Sequence, residues 1–134
     1  MPSKLQLLIV DDDYVHKLVM RKMIDHCCNH VDVQFAENGR EGLELIQAAV
    51  KDPSIPLPDV IFLDIEMPEI NGWEFMEIFS KLPEAVTKKI RVYVASSSIT
   101  AEDKHRINDY PIARGLMEKP IPLETMKRIL HVNT

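Results

Sequence analysis

VIFLDIEMPEING, residues Val60 to Gly72, opens on four apolar residues in a row and then stops at an acid. An uninterrupted run of this length suits a strand buried on both faces, and periodicity alone leaves a buried helical piece as the alternative. Pro68 and the Asn71-Gly72 pair break the chain before the next amphipathic segment. Asp64 therefore stands where a buried strand would end. In an open parallel sheet the carboxyl ends of the strands border the ligand crevice. A helix cap or turn residue is the plainer reading of a single such aspartate, and the other strand ends decide between the two.

Upstream, Leu5 to Val10 (LQLLIV) is a mostly apolar run of strand length that ends at Asp11-Asp12-Asp13. Three consecutive acids repel one another unless solvent, a cation or a helix N-terminus offsets the repulsion. Val15, Leu18, Val19, Met23 and Cys27 recur at helical spacing and predict an inward face for the first helix. Val31 to Ala36 alternates apolar and polar residues, as an edge strand does. Leu43, Ile46 and Val50, with Ala49 beside them, mark a second helix, and three prolines between Lys51 and Pro58 require a loop.

Downstream, Phe75, Met76, Phe79 and Leu82 line a third helix, with Trp73 near its start and partly exposed in this reading. Ile90 to Ala95 is a fourth strand that runs into Ser96-Ser97-Ser98. Ser98 or Thr100 caps a short polar fourth helix that ends near Ile107. Gly115-Leu116-Met117 is a short fifth strand before Glu118-Lys119-Pro120, and Leu123, Met126 and Leu130 space a last helix. Strand and helix thus alternate five times, which predicts an α/β domain: a (βα)5 doubly wound, five-stranded parallel sheet with right-handed crossovers. Pattern alone leaves the strand order open.

The whole chain, 1–134, reads as one domain with no repeat or dividing linker. A net charge of -5 and the lack of a Lys/Arg run argue against direct nucleic-acid binding. No segment reaches membrane-spanning length, so no membrane insertion is expected. Adjacent Cys27 and Cys28 match neither a disulfide framework nor a zinc spacing, and a reducing, cytoplasmic setting follows from that reading.

Four strand ends carry residues suited to one chemistry: Asp11 and Asp12, Asp64, Ser96, and Lys119. A hard divalent cation resolves the crowding of three carboxylates, and Mg2+ takes oxygen ligands together with phosphate. A lysine offsets phosphoryl charge, a serine hydroxyl donates to a phosphoryl oxygen, and an aspartate is a competent nucleophile. Singly, each residue is explained as a cap or a solvated surface group. Jointly they point to phosphoryl transfer.

With LLIVDDD (Leu7–Asp13), VIFLDIEMPEING, VYVASSS (Val92–Ser98) and MEKP (Met117–Pro120) in this order, the chain resembles a response-regulator receiver domain of two-component signalling over essentially its full length. The resemblance implies strand order 2-1-3-4-5, five helices and Asp64 as phosphoacceptor. It implies Mg2+, or Mn2+ in its place, held by Asp12 and Asp64, by Asp11 through water, and by the backbone carbonyl of Glu66. The Glu66 side chain matches a position that tunes dephosphorylation. Ser96 matches the hydroxyl residue that follows the phosphoryl group, and Lys119 the lysine that pairs with it, before a cis Lys119–Pro120 bond. Asp13 is expected to be a helix-start carboxylate. Implied partners are a histidine kinase or histidine phosphotransfer protein and an output protein of unknown identity.

The chain departs from the family pattern at Leu116, where an aromatic switch residue is common, and at Arg91, before the fourth strand's Val92. Gly115 keeps a glycine expected just before the fifth strand. Self-catalysed phosphorylation and dephosphorylation without a separate enzymatic output is the leading expectation. The alternative is a phosphorylation-independent interaction module on the same fold. A flavin carrier is excluded by the three aspartates where its phosphate loop would need glycines and hydroxyls.

Overall fold

The structure is a computed structural model and describes residues 4–131. Five strands form one parallel sheet: β1 (Leu5–Val10), β2 (Val31–Ala36), β3 (Val60–Asp64), β4 (Arg91–Ser96) and β5 (Ala113–Glu118). Their order is β2-β1-β3-β4-β5. The alternating strand is thus an edge, and the strand VIFLD, four apolar residues and the terminal Asp64, is the centre, buried at every residue. Register is regular except between Val92 and Tyr93, which pair with Ala113 and Gly115 and leave Arg114 as an extra residue in β5. Gly115 accordingly lies inside the strand and not ahead of it.

Six α-helices flank the sheet: α1 (Tyr14–Cys27), α2 (Gly39–Lys51), α3 (Gly72–Phe79), α4 (Glu84–Thr87), α5 (Ala101–Arg106) and α6 (Leu123–His131). The four-residue α4 is the one beyond the five expected. Pro83 stands immediately before it with φ −54°, so this proline opens a helical turn after α3 has already ended. A 3-10 turn, Ile107–Asp109, continues α5.

Because side chains alternate across a strand, the sheet builds two cores. Leu8, Val10, Ile61, Leu63, Val92 and Val94 pack on one face with Leu43, Ile46, Phe75, Met76 and Phe79 of α2 and α3. Leu7, Ile9, Val60 and Phe62 pack on the other with Met20 and Ile24 of α1 and Met126, Ile129 and Leu130 of α6. Full burial of each such side chain is worth about 1.5–3 kcal/mol.

The inward face of α1 differs from the expected one. Val15, Leu18 and Val19 are exposed, Met23 and Cys27 are half-buried, and His16, Met20 and Ile24 point inward. A polar residue holds a core position because it has a buried partner, Asp11, and the apolar count alone therefore selects the wrong face. In α2, Ala49 is buried and Val50 exposed. Trp73 is buried, 3% exposed, because Tyr110 stacks on it at 5.9 Å between ring centroids and the Arg106 guanidinium lies 5.4 Å from its ring. Arg91 donates to the Ile129 carbonyl at 3.1 Å and ties β4 to α6.

Cys27 and Cys28 are paired as a disulfide between adjacent residues. The backbone leaves helical geometry at Cys28 (φ −145°, ψ 64°), where α1 ends. The sequence reading expected no disulfide at these two residues, and the structure pairs them. No helix among the described residues is long and apolar enough to cross a membrane.

Candidate phosphoryl-transfer site

The carboxyl ends of β1, β3, β4 and β5 deliver the polar residues to one edge of the sheet. Asp11 follows β1, and its amide donates to the Ala36 carbonyl of β2, which holds the chain in line with the sheet for one more residue. Asp13 caps α1 through a side-chain bond from the His16 amide at 3.2 Å. That is the helix-start role expected for it. Asp64 ends β3 and is 3% exposed.

Behind Asp64 the chain returns at close quarters. A Cβ on Gly72 would lie 2.6 Å from Ile65 Cα and 2.7 Å from the Asp64 carbonyl oxygen, so only glycine fits there. Asn71 and Glu74 form a capping box that starts α3 at that point. The turn between uses Glu69 at φ 63°, in the left-handed region.

Asp11, Asp12 and Asp64 each offer an oxygen, and these oxygens all lie within 4.8 Å of one another. Asp11 and Asp64 are buried, and Asp12 faces solvent. Lys119 is placed by the end of β5 and by the cis Lys119–Pro120 bond. Its ammonium lies 3.1 Å from Asp11 Oδ2 and 3.1 Å from Asp64 Oδ1.

The three charges respond to one another. Burial and the neighbouring Asp11 charge push the Asp64 carboxyl up to about 7, against the opposing pull of Lys119. Burial also works to raise Asp11, but hydrogen bonds from His16 and the Asp13 amide, together with Lys119, hold it below the usual carboxylate range. Burial disfavours the Lys119 ammonium, yet the two carboxylates outweigh that and raise it. An all-oxygen donor set with excess negative charge is what a hard divalent cation fits.

Ser96 ends β4 and is 1% exposed. Its hydroxyl donates to the Ser98 carbonyl at 3.0 Å and accepts from the Ser98 amide at 3.2 Å, so it is folded back on its own loop. Glu66 is exposed beyond β3, and its amide donates to Asp64 Oδ1 at 3.1 Å. Its carboxylate accepts from Ser97 at 2.8 Å and, more weakly, from Ser96 at 3.4 Å. Leu116 lies half-buried on β5 against the core face shared with α2 and α3.

The structure brings Asp11, Asp12, Asp64 and Lys119 together, with the Glu66 amide on Asp64, while the Ser96 hydroxyl meets Ser98 and the Glu66 carboxylate and Leu116 packs against the core. Sequence reasoning missed His16, whose Nδ1 lies 2.7 Å from Asp11 Oδ2. Its only sequence signal is the 16, 20, 24 spacing it shares with Met20 and Ile24. Also missed was the bond between Ser97 and Glu66, which joins two loops far apart in sequence.

A family model described as "Response regulator receiver domain" matches residues 7–131. A protein-glutamate methylesterase/protein-glutamine glutaminase of Thermotoga maritima is 34% identical over 98 residues, 73% of this chain and 25% of that protein. The chain thus spans about a quarter of that relative's length. A response regulator receiver protein from Dyadobacter fermentans is 27% identical with a TM-score of 0.81, each chain covered to 96%. A two-component response regulator from Cytophaga hutchinsonii shares the fold at a TM-score of 0.86 and 21% identity, covering 99% of this chain and 100% of that one.

Proposed function

The chain belongs to the response regulator receiver domain family, and from that premise we infer that residues 1–134 form a single receiver domain that accepts a phosphoryl group on Asp64. The observation that carries this reading is Lys119 bridging the buried Asp64 and Asp11 at 3.1 Å each. Asp64 Oδ1 is engaged by the Glu66 amide and by Lys119, and Oδ2 carries the attack in our reading.

With a phosphohistidine donor, an Asp64 oxygen forms the new O–P bond as the N–P bond breaks. The donor imidazole leaves with that electron pair and takes a proton from solvent. Lys119 offsets the charge on the transferred group. Ser96 swings from the Ser98 backbone to donate to a phosphoryl oxygen. Mg2+, with Mn2+ able to substitute, supplies positive charge that keeps Asp64 ionised and neutralises phosphoryl oxygens. Asp11, Asp12, Asp64 and the Glu66 carbonyl are the groups we assign to hold it.

The proposed donor is a histidine kinase or histidine phosphotransfer protein. Tyr14, Val15, Leu18 and Val19 support that choice, since they place exposed apolar surface on α1 directly beyond the acidic cluster. A donor helix laid along them brings its histidine to Asp64. The proposed setting is the cytoplasm, and its support is this donor reading.

Intact-mass measurement after incubation with a small acyl phosphate and Mg2+ tests the acceptor. The parent gains one phosphoryl group and Asp64→Asn gains none. Undiminished labelling of that variant refutes the assignment and favours the phosphorylation-independent module.

A further inference from the structure

His16 is not among the residues that hold the phosphoryl group or the cation in the reading above, yet it is buried against one of them. Its ring is 9% exposed, and Nδ1 lies 2.7 Å from Asp11 Oδ2. An ionised carboxylate only accepts, so Nδ1 carries the proton. The other ring nitrogen, Nε2, is buried with no hydrogen-bond partner. A buried polar atom without a partner costs stability. Met20 and Ile24 continue the same face of α1, so an apolar side chain at position 16 would suit the packing and avoid that cost. Packing alone does not call for a histidine here, whereas the donor it gives to Asp11 does.

Asp11 has two kinds of support. Oδ1 accepts from the Asp13 amide at 2.8 Å, and Oδ2 accepts from both His16 and Lys119. Lys119 is shared with Asp64. Once Lys119 turns to the phosphoryl group, Oδ2 keeps His16 as its side-chain donor. His16 itself is fixed, because its own amide is bonded to the Asp13 cap at 3.2 Å.

We propose that His16 is a positioning residue for the divalent-cation site, holding Asp11 Oδ2 through Nδ1–H so that Asp11 keeps its orientation toward the cation when Lys119 moves away. The inference rests on the cation and acceptor assignments made above. It predicts that His16 sets cation affinity, while the maximal phosphorylation rate at saturating cation changes little. Hydrogen bonds that orient metal ligands carry about ten- to a hundredfold in affinity.

The test measures Mn2+ binding by calorimetry and thermal unfolding without metal for the full chain and for His16→Leu, His16→Asn and His16→Gln. Leu fits the apolar face, so His16→Leu folds but binds Mn2+ about tenfold or more weakly. Asn carries its Nδ2 close to where Nδ1 stands, and His16→Asn restores binding to within about threefold of the parent. Gln places the donor one bond too far and does not restore it. Excess Mg2+ returns labelling of His16→Leu by a small acyl phosphate to near the parent rate. If His16→Leu does not fold, Asn against Gln decides, and equal affinities for those two overturn the proposal. Parent-like Mn2+ affinity in a folded His16→Leu overturns it as well, while leaving the acceptor reading intact. A parent that binds no Mn2+ overturns the cation assignment and this proposal with it, and the Asp64→Asn labelling then decides the acceptor reading by itself.

Discussion

Lys119 Nζ lies 3.1 Å from Asp64 Oδ1, so an ammonium already stands beside the residue assigned as acceptor. The same ammonium is bonded to Asp11. The site is therefore partly neutralised without a cation, but by one positive charge against the carboxylates of Asp11, Asp12 and Asp64. The remaining imbalance is visible in Asp64, which burial and the Asp11 charge push up to about 7.

That imbalance makes stability depend on pH in a direction opposite to an ordinary ion-paired carboxylate. The folded Asp64 value lies above the unfolded one near 3.8, so the folded state binds the extra proton. Its contribution is fully present below about pH 4 and is lost as pH rises toward 7. The rise from 3.8 to about 7 sets a ceiling of roughly 4 kcal/mol. Asp64→Asn, which also gives up the Lys119 ion pair, is expected to stabilise the metal-free protein by about 1–2 kcal/mol at pH 8 and less at pH 5. Thermal melts of the two proteins across this range check it. A gap that shrinks as pH rises contradicts the stated electrostatics. Mg2+ should raise the melting temperature of the parent and not that of the variant.

Gly72 supports the acceptor through space that no side chain can share. The Gly72→Ala Cβ would press on the Ile65 Cα and the Asp64 carbonyl, both backbone atoms that cannot rotate away. Overpacking of this kind costs about 1–3 kcal/mol. The expected result is a lower denaturation midpoint together with slower Asp64 labelling, because the Asp64–Glu66 segment must shift. Parent-like values of both quantities show that the α3 entry can relax.

Ser96 is held by its own loop, and Ser97 ties that loop to Glu66. A phosphoryl mimic with Mg2+ is expected to draw Ser96 off the Ser98 backbone and to free α5, which has no buried residue. Amide NMR should show its largest shifts at Ser96–Ile107 and at Leu116–Lys119, smaller in Ser96→Ala. Shifts confined to Asp11–Asp13 and Asp64, or an unaltered response in Ser96→Ala, rule this route out. Tyr110 stacked on Trp73 joins the far end of α5 to α3 and offers an aromatic contact where Leu116 cannot.

If the donor docks on the exposed face of α1, as proposed above, docking and chemistry can be separated there. Val15→Glu and Leu18→Glu alter exposed positions of α1, 66% and 45% exposed, so folding should change by no more than about 1 kcal/mol. Phosphoryl transfer from a phosphorylated histidine protein is expected to slow about tenfold or more, the effect of losing about 1.4 kcal/mol of docking energy. Labelling by a small acyl phosphate should stay at the parent rate. A matched loss with both donors places the defect in the site and not in docking.

The five strands and the polar residues at their ends are legible in the amino-acid pattern, with β5 longer than its apolar core Gly115–Met117. A strand buried on both faces reads as a nearly continuous apolar run, so Leu5–Val10, broken only by Gln6, and Val60–Leu63 announce themselves, and Asp11, Asp12, Asp64, Ser96 and Lys119 stand out as polar residues at or just beyond strand ends. Helix faces were less legible, because a helix can bury any stripe for which the sheet supplies partners. In α1 the exposed positions 15, 18 and 19 are more apolar than the buried position 16, and only the approach of Asp11 makes a histidine the inward residue. Trp73 is buried by Tyr110, a residue 37 positions away in sequence, and Cys27 pairs with Cys28 only where the chain leaves α1. Local pattern records which residues avoid water. Tertiary structure alone decided which polar groups found partners there, since hydrogen bonds and ring contacts between distant segments leave no periodic trace in the chain.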